Sequence, residues 1–202
     1  MNHLVHLTEA AAKSSLIMKS IKSTIIGTLA QNSDFEDWWE SDLIDIPFFN
    51  NLKLKVVFMG LLPEEDGQFI PEADNALNHF ISKTDTDRLA ISHLVYKNCM
   101  DFLNAVGYDE YDKVLWEIKD KNDIWNHVQP FEIYISRRPY NDKDIYININ
   151  CDCDWELEHG LQLVFRQGKQ ITRVSMIDGH LTEADAYDKP DSEDELLSLF
   201  KG

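Results

Sequence analysis

The stretch from Ile145 to Gly160, IYININCDCDWELEHG, decides the fold because apolar and polar side chains alternate along it until it ends in a turn-like run. Successive side chains of a β-strand point to opposite faces, so this period of two predicts a strand with two different surfaces. The apolar surface holds Ile145, Ile147, Ile149, Cys151 and Cys153. The polar surface holds Tyr146, Asn148, Asn150, Asp152 and Asp154.

The two thiols continue the isoleucine row, and cysteine is among the residue types most often buried. We therefore interpret both as core packing. The run WELEHG that follows is interpreted as a corner between two strands, in which glycine supplies a positive φ and tryptophan closes the end of the core. The predicted structural residues of this corner are Trp155, Glu158, His159 and Gly160.

A metal site at the same corner is the alternative interpretation, and it would make the chain a metal-dependent enzyme centred on Cys151–His159. Thiols and imidazoles are zinc ligands, but the usual CxxC spacing is absent. The carboxylates of Asp152, Asp154, Glu156 and Glu158 do not fit the register of an EF-hand loop. The prediction is that no cofactor is bound, with a divalent metal as the alternative. The candidate metal ligands are Cys151, Cys153, His159 and His180.

Motifs of the common catalytic classes are absent from the sequence. It contains no GxSxG nucleophile elbow, no P-loop, no GxGxxG and no HExxH. Each of these motifs places particular groups where a reaction needs them, so their absence favours a binding role over catalysis.

Elsewhere the hydrophobic pattern predicts helices mainly in the N-terminal half and strands in the C-terminal half. Apolar residues at helical spacing predict an amphipathic helix over 8–31 and two further helices over 71–81 and 84–106. Strand patterns occur at 52–62, 131–138, 144–154, 160–166 and 170–176. The predicted class is α+β with an antiparallel β-meander in the C-terminal half.

This pattern divides the chain into three predicted parts. Residues 1–32 form an N-terminal amphipathic helix extension, and residues 33–188 form a single α+β domain. Residues 189–202 form an acidic C-terminal tail with a short helix. No signal peptide or membrane span is predicted, because lysines interrupt the apolar run near the N-terminus.

The charge of the chain restricts its partners. Thirty-six acidic residues against nineteen basic ones give a net charge of −17, which repels nucleic acid and anionic lipid. A basic protein would be attracted instead, so the predicted partner is another protein of basic character. The alternative interpretation is that the acidic charge serves only solubility. The three cysteines are an odd number and two of them lie two residues apart, which predicts free thiols and a cytoplasmic protein.

An aromatic and acidic run at 35–49 provides the candidate contact surface. Tryptophan anchors surrounded by carboxylates are typical of an interface with a basic partner. The alternative interpretation is that these aromatic residues are core packing. The outward carboxylates of the 145–160 stretch are the second candidate surface. The predicted partner-binding residues are Glu36, Asp37, Trp38, Trp39, Asp152, Asp154 and Glu156.

Three runs also carry a family resemblance: CDCDWELEHGLQLVFRQGKQITRV at 151–174, FEDWWESDLIDIPFF at 35–49 and FIPEADNALNHFI at 69–81. Together they resemble an uncharacterised bacterial domain family, the DUF6985-type proteins, over residues 34–187. The resemblance implies a cytoplasmic binding protein of the toxin-immunity or accessory kind. It assigns no activity to any residue.

Overall fold

The computed structural model describes residues 19–200, where a long mixed sheet is packed by helices. Its strands are β1 (Ser20–Ser23), β2 (Gly27–Gln31), β3 (Trp39–Ser41), β4 (Ile44–Ile46), β5 (Leu52–Phe58), β6 (Val128–Arg137), β7 (Ile145–Cys153), β8 (Leu161–Arg166) and β9 (Gln170–Ser175). Its α-helices are α1 (Phe69–Ile81), α2 (Asp85–Ala90), α3 (Ser92–Val106), α4 (Lys113–Trp116), α5 (Glu183–Ala186) and α6 (Glu195–Ser198). Short 3-10 helices occupy Pro47–Phe49, Glu110–Asp112, Lys121–His127 and Asp191–Glu193.

The strands follow the order β1-β2-β3-β5-β6-β7-β8-β9, and β4 pairs with the first part of β5. Neighbouring strands are antiparallel except β5 and β6, which are parallel. A tight turn cannot connect parallel neighbours, so the chain between them makes a crossover that contains α1 to α4. The helices therefore enter the fold in the middle of the chain.

One face of the sheet, here called the helix face, carries the main core. Val56, Ile133, Ile149 and Leu163 lie side by side across four strands, and each is fully buried. Removing this apolar row from water is the main stabilising contribution of the sheet. The residues that α1 and α3 bury in the same core are Phe69, Ala73, Ala76, Leu77, Phe80, Val95, Cys99 and Leu103.

The predicted fold class was wrong in its layout. The sheet begins with the five strands β1 to β5, which lie between Ser20 and Phe58. The larger helices lie within 69–127. The strands of the C-terminal half are antiparallel to one another, but they belong to a mixed sheet that begins at Ser20. The protein is α+β with strands dominating from residue 20 to residue 175.

The predicted helix over 8–31 was wrong where the structure describes it. Residues 20–31 form the hairpin of β1 and β2, with Gly27 at a φ of 85° in the turn. Ile21 and Leu29 lie opposite each other in this hairpin and share its inner face. They are eight residues apart in sequence, which is also close to two turns of a helix, so the pairing produced a helical pattern. Residues 8–18 of this prediction lie outside the described residues.

The carboxylate of Asp74 in α1 holds this hairpin against the helix. It accepts hydrogen bonds from the Ser23 hydroxyl at 2.5 Å and from the backbone N–H and hydroxyl of Thr24, each at 2.7 Å. A buried carboxylate needs such donors, and Asp74 is 7% exposed. The hairpin is thus fixed by a polar contact with Asp74, a residue about 50 positions away, so the hairpin sequence alone does not predict it.

The second face of the sheet is partly covered by residues 178–200. Tyr146 and Val164 point to this face and are fully buried beneath Leu181. The short helix α6 begins at Asp194, whose carboxylate accepts from the backbone N–H of Leu197 at 3.0 Å. The acidic tail with its short helix therefore packs on the sheet.

Arg138, directly after β6, connects this C-terminal segment to the sheet. Its guanidinium is fully buried and donates to the carboxylates of Asp142 at 2.8 Å, Asp185 at 2.6 Å and Asp191 at 2.7 Å. It also donates to the Thr182 hydroxyl at 3.3 Å. Several charged hydrogen bonds of this kind are required to compensate the desolvation of a buried guanidinium.

Replacing Arg138 by Met should destabilise the protein by about 3–5 kcal/mol at pH 7, because three carboxylates lose their counter-charge. Hydrogen bonding to Arg138 lowers the pKa of Asp191 below its ordinary value of 3.8. The ion pair of Asp191 with Arg138 therefore contributes fully to stability above pH 3.8. This contribution is lost as the pH falls through the lower pKa that Asp191 has in the folded protein. Urea unfolding of both proteins between pH 7 and pH 3 should show the difference shrinking in acid. If the difference in unfolding free energy between the two proteins does not change with pH, the ion pairs of Arg138 are not its cause.

Gly168, in the turn between β8 and β9, lies against the backbone of α1. Its φ is 65°, and a Cβ at this position would lie 2.0 Å from the carbonyl oxygen of Ala76. The control is Gly179, which has a φ of 78° but no atom within 4 Å of the place that a Cβ would occupy. We expect Gly168→Ala to cost about 1–3 kcal/mol more in unfolding free energy than Gly179→Ala, since only the first forces the backbone apart. Equal losses in urea unfolding would show that the turn does not contact α1.

Candidate functional site

The two thiols at the end of β7 lie in the core, as the period of two predicted. Cys151 is fully buried and Cys153 is 2% exposed, and both lie on the helix face. Burial raises the pKa of Cys153 to about 11 and that of Cys151 well above its ordinary value, because a thiolate is poorly solvated there. All three cysteines of the chain are free and buried. These thiols therefore stay protonated at neutral pH.

The corner after β7 is held by contacts within the turn and to α3. The indole N–H of Trp155 donates to Asn98 at 3.1 Å, and the carboxylate of Glu156 accepts from the backbone N–H groups of Glu158 and His159. Gly160 has the predicted positive φ of 68°, and a Cβ there would lie 2.5 Å from a backbone oxygen of β7. Glu156, proposed from sequence as a contact residue, is thus engaged in the turn.

The four residues predicted as metal ligands are not brought together. Cys151 and Cys153 face the core, whereas His159 lies on the exposed side of the turn. His180 lies beyond the second face, where its carbonyl oxygen accepts from Gln162. Within residues 19–200, no group of three or more histidine, cysteine and acidic side chains is placed to hold a metal ion.

The exposed carboxylates of this region are also separated. Asp154 accepts from the ring of His127 at 2.8 Å, which connects the end of β7 to the 3-10 helix before β6. Asp152 is exposed, lies opposite Gln129 and points to the second face. Asp152 thus remains available for a partner, while Asp154 is already paired.

Native thiols should react slowly with a disulfide reagent such as DTNB at pH 8. The pKa of Cys99 is raised to about 12 by burial, and the other two thiols are equally shielded. All three should react at once in denaturant, which serves as the control. Fast modification of one thiol in the folded protein would contradict the inward placement of the row.

The aromatic run at 35–49 divides between the two faces of the sheet. Trp39 is 4% exposed on the helix face and donates its indole N–H to the Leu61 carbonyl oxygen at 2.9 Å. Its neighbour Trp38 points the other way and stacks on Phe35 with ring centres 4.7 Å apart; its ring centre lies 6.0 Å from that of Tyr134, at an interplanar angle of 71°. Of the two tryptophans predicted to contact a partner, only Trp38 is placed to do so.

Phe35, Trp38 and Tyr134 thus form an aromatic row across the second face, beyond the area that residues 178–200 cover. Phe35 is 52% exposed, and the other two rings are half-buried. Next to Phe35 lies a depression of about 880 Å³. The acidic residues that line it are Asp34, Glu36, Asp37 and Glu40.

The carboxylates of this area differ in their partners. Glu40 accepts from Lys55 at 2.8 Å and from the Asn32 amide, and these bonds lower its pKa. Within residues 19–200, no ion pair involves Asp34, Glu36 or Asp37. The area therefore keeps an excess of negative charge that an external cation can neutralise.

Two asparagines of β7 lie beside the aromatic row. Asn148 is opposite Tyr134 and Asn150 is opposite Glu132 on the neighbouring strand β6. The two asparagines are 8% and 9% exposed, and the side-chain oxygen of each lacks a hydrogen-bond partner among the described residues. Buried polar atoms are nearly always paired in native proteins, so these two oxygens are exceptions, as are three buried side-chain nitrogens elsewhere among the described residues.

We call this whole region the open face: Phe35, Glu36, Asp37, Trp38, Glu40, Glu132, Tyr134, Asn148 and Asn150. Its aromatic rings offer apolar contact area, its carboxylates offer charge, and its asparagine oxygens offer acceptors. The surface is suited to binding a group that carries positive charge and several donors. It brings together two strand regions that are about 100 positions apart in sequence.

Of this face, Glu36, Asp37 and Trp38 were predicted from the sequence as contact residues, whereas Glu132, Tyr134 and the two asparagines were not. The signal for the asparagines was present, because Asn148 and Asn150 fall on one side of the period-two pattern. An exposed polar surface was expected there. The structure instead buries both residues, since strands lie on either side of β7 and the C-terminal segment lies nearby.

No helix among residues 19–200 has the length and hydrophobicity to cross a membrane. Comparison with curated proteins found no match, and comparison with solved structures found none either. A sequence model of one family, described as Domain of unknown function (DUF6985), matches residues 25–181. This range contains β2 to β9 and every residue of the open face, and it ends before α5 and α6. The chain belongs to the DUF6985 family.

Proposed function

We propose that the chain is a cytoplasmic binding protein that recognises a basic protein partner through its open face. The observation that carries the proposal is the half-exposed stack of Phe35 on Trp38, next to carboxylates that have no ion-pair partner among the described residues. Aromatic anchors surrounded by charge are typical of the energetic centre of an interface. The three buried free thiols support a reducing compartment.

The total charge supports the same partner. At −17, the chain attracts cationic proteins over a distance of several ångströms and speeds their encounter, whereas the aromatic row provides the short-range contacts. A toxin-neutralising or accessory protein is the form of this function that we favour, because a basic enzyme can be blocked by an acidic surface that covers it. The partner would then contact Asp152 as well, since that carboxylate points to the same face.

Affinity capture from the native cell with matched variants tests the proposal. The bait forms are wild type, the Phe35→Ala/Trp38→Ala double variant and Tyr111→Ala. Tyr111 is 95% exposed and also lies among carboxylates, so it controls for the loss of a surface aromatic ring. We expect the affinity for a basic partner to fall by about 30-fold in the double variant, which is the loss expected when a hot-spot residue is removed. Tyr111→Ala should bind this partner as wild type does.

Salt and folding controls complete this experiment. Recovery should fall as salt is raised from about 0.05 M to about 0.5 M, because screening weakens the attraction between opposite charges. Circular dichroism should show that the double variant is folded, since neither ring belongs to the buried core. If every captured protein is retained equally by the double variant, the open face is not the binding surface and the proposal fails.

A further inference from the structure

The two unpartnered asparagine oxygens give the partner a chemical identity. We propose that the open face binds an arginine side chain of the partner, with its guanidinium donating to Asn148, Asn150 and Glu132 and lying against Trp38 and Tyr134. This inference rests on the proposed function and makes it more specific. It selects one occupant, an arginine of a basic protein, for the part of the face next to β7.

The positions of the acceptors support a planar ligand with several donors. Tyr134 and Asn148 are directly opposite on adjacent antiparallel strands, and so are Glu132 and Asn150. Opposite side chains in such a pair are about 4.5–5.5 Å apart at Cβ. Four side chains therefore surround one small area, and three of them supply acceptor oxygens. A guanidinium presents five N–H donors in one plane, whereas an ammonium is a point charge with three.

The hydrogen bonds already made leave the two asparagine oxygens without a donor, and these oxygens are not exposed, so a ligand has to displace the side chains that cover them. The Tyr134 hydroxyl donates to one oxygen of Glu132 at 2.5 Å, so the other oxygen can accept from a ligand. The Asn148 amide donates to Gln162 at 3.0 Å, which keeps its nitrogen occupied and its oxygen free. The Asn150 side-chain oxygen has no hydrogen-bond partner among the described residues, and the amide torsion has a broad range, so this oxygen can turn toward a ligand.

The surrounding charge and rings favour the same occupant. Lys55 is the cation nearest to Glu132 in register, but it donates to Glu40 at 2.8 Å. Trp38 and Tyr134 meet at an interplanar angle of 71°, and Tyr134 lies opposite Asn148, so aromatic rings lie next to the acceptors. Guanidinium groups stack on such rings. Gln162 cannot move in to fill the site, because its amide donates to Ser175, Asp178 and the carbonyl oxygen of His180.

Titration with arginine amide and with lysine amide, followed by NMR, tests this inference on the full chain. The signals to follow are the side-chain amides of Asn148 and Asn150 and the indole N–H of Trp38. We expect saturable shifts with arginine amide and binding about tenfold weaker with lysine amide, since the latter cannot span the acceptors. Equal affinity for the two compounds, or no saturable shift with arginine amide, would overturn the inference.

Variants at Asn150 separate a ligand site from a structural role. Asn150→Leu removes the acceptor and should weaken arginine amide by about tenfold, whereas the exposed Asn104→Leu should not change it. Asn150→Asp keeps the acceptor and should bind at least as well as wild type, which keeps the test valid if the leucine variant folds poorly. Unchanged affinity in a folded Asn150→Leu variant would contradict the inference.

Two further outcomes are distinguishable. If the asparagine signals shift with protein concentration alone, a second copy of the chain occupies the site and the arginine proposal is wrong. If the captured partner depends on Phe35 and Trp38 but arginine amide does not bind, the proposed function stands and only this inference fails.

Discussion

The buried guanidinium of Arg138 is the interaction on which the arrangement of the second face depends. It lies at the end of β6 without contact to water and is compensated by carboxylates from two separate parts of the chain. Asp142 comes from the turn that follows β6, whereas Asp185 and Asp191 come from the C-terminal segment. Because an unpaired charge in this position would be very costly, the segment must dock where it does.

That docking determines which part of the sheet is covered. Leu181 closes over Tyr146 and Val164, while Arg173 donates to the Thr182 carbonyl oxygen at 2.7 Å and to Asp178 at 2.5 Å. The covered area ends near Gln162, and the open face begins at the asparagines next to it. The position of the candidate site is therefore a consequence of where the C-terminal segment stops. The segment after Leu181 lies outside the range matched by the family, so the boundary is built partly by residues beyond that range.

The open face combines two features that are unfavourable in an isolated molecule. Half-exposed aromatic rings lose stabilising contacts to other groups, and buried oxygens without donors carry an uncompensated desolvation cost. Both features occur on the same face and next to each other, whereas the helix face is a continuous apolar core. Such features are explained together if a ligand supplies the missing contacts. A positively charged group also relieves the repulsion among the nearby carboxylates.

The sequence was sufficient to predict the strands from β6 to β9, because their alternation is strong and each is bounded by turn residues. It also placed the thiols, Gly160 and the helices α1 and α3 well. It failed for β1 and β2, where Ile21 and Leu29 satisfy the periodicity of a helix and the pairing of a hairpin at once. It could not find the crossover between parallel strands, the Arg138 cluster or the open face, since each joins residues that are distant in sequence.

Hydroxyl-radical footprinting of wild type and Arg138→Met tests most directly whether Arg138 sets the boundary of the open face. We expect Phe35 and Trp38 to be oxidised readily in both proteins. Trp39 should be protected in both, which would show that the core is intact. Tyr146 should be protected in wild type and oxidised in Arg138→Met, because the C-terminal segment is released. Equal oxidation of Trp38 and Trp39, or a Tyr146 that stays protected in Arg138→Met, would show that Arg138 does not set the boundary of the open face.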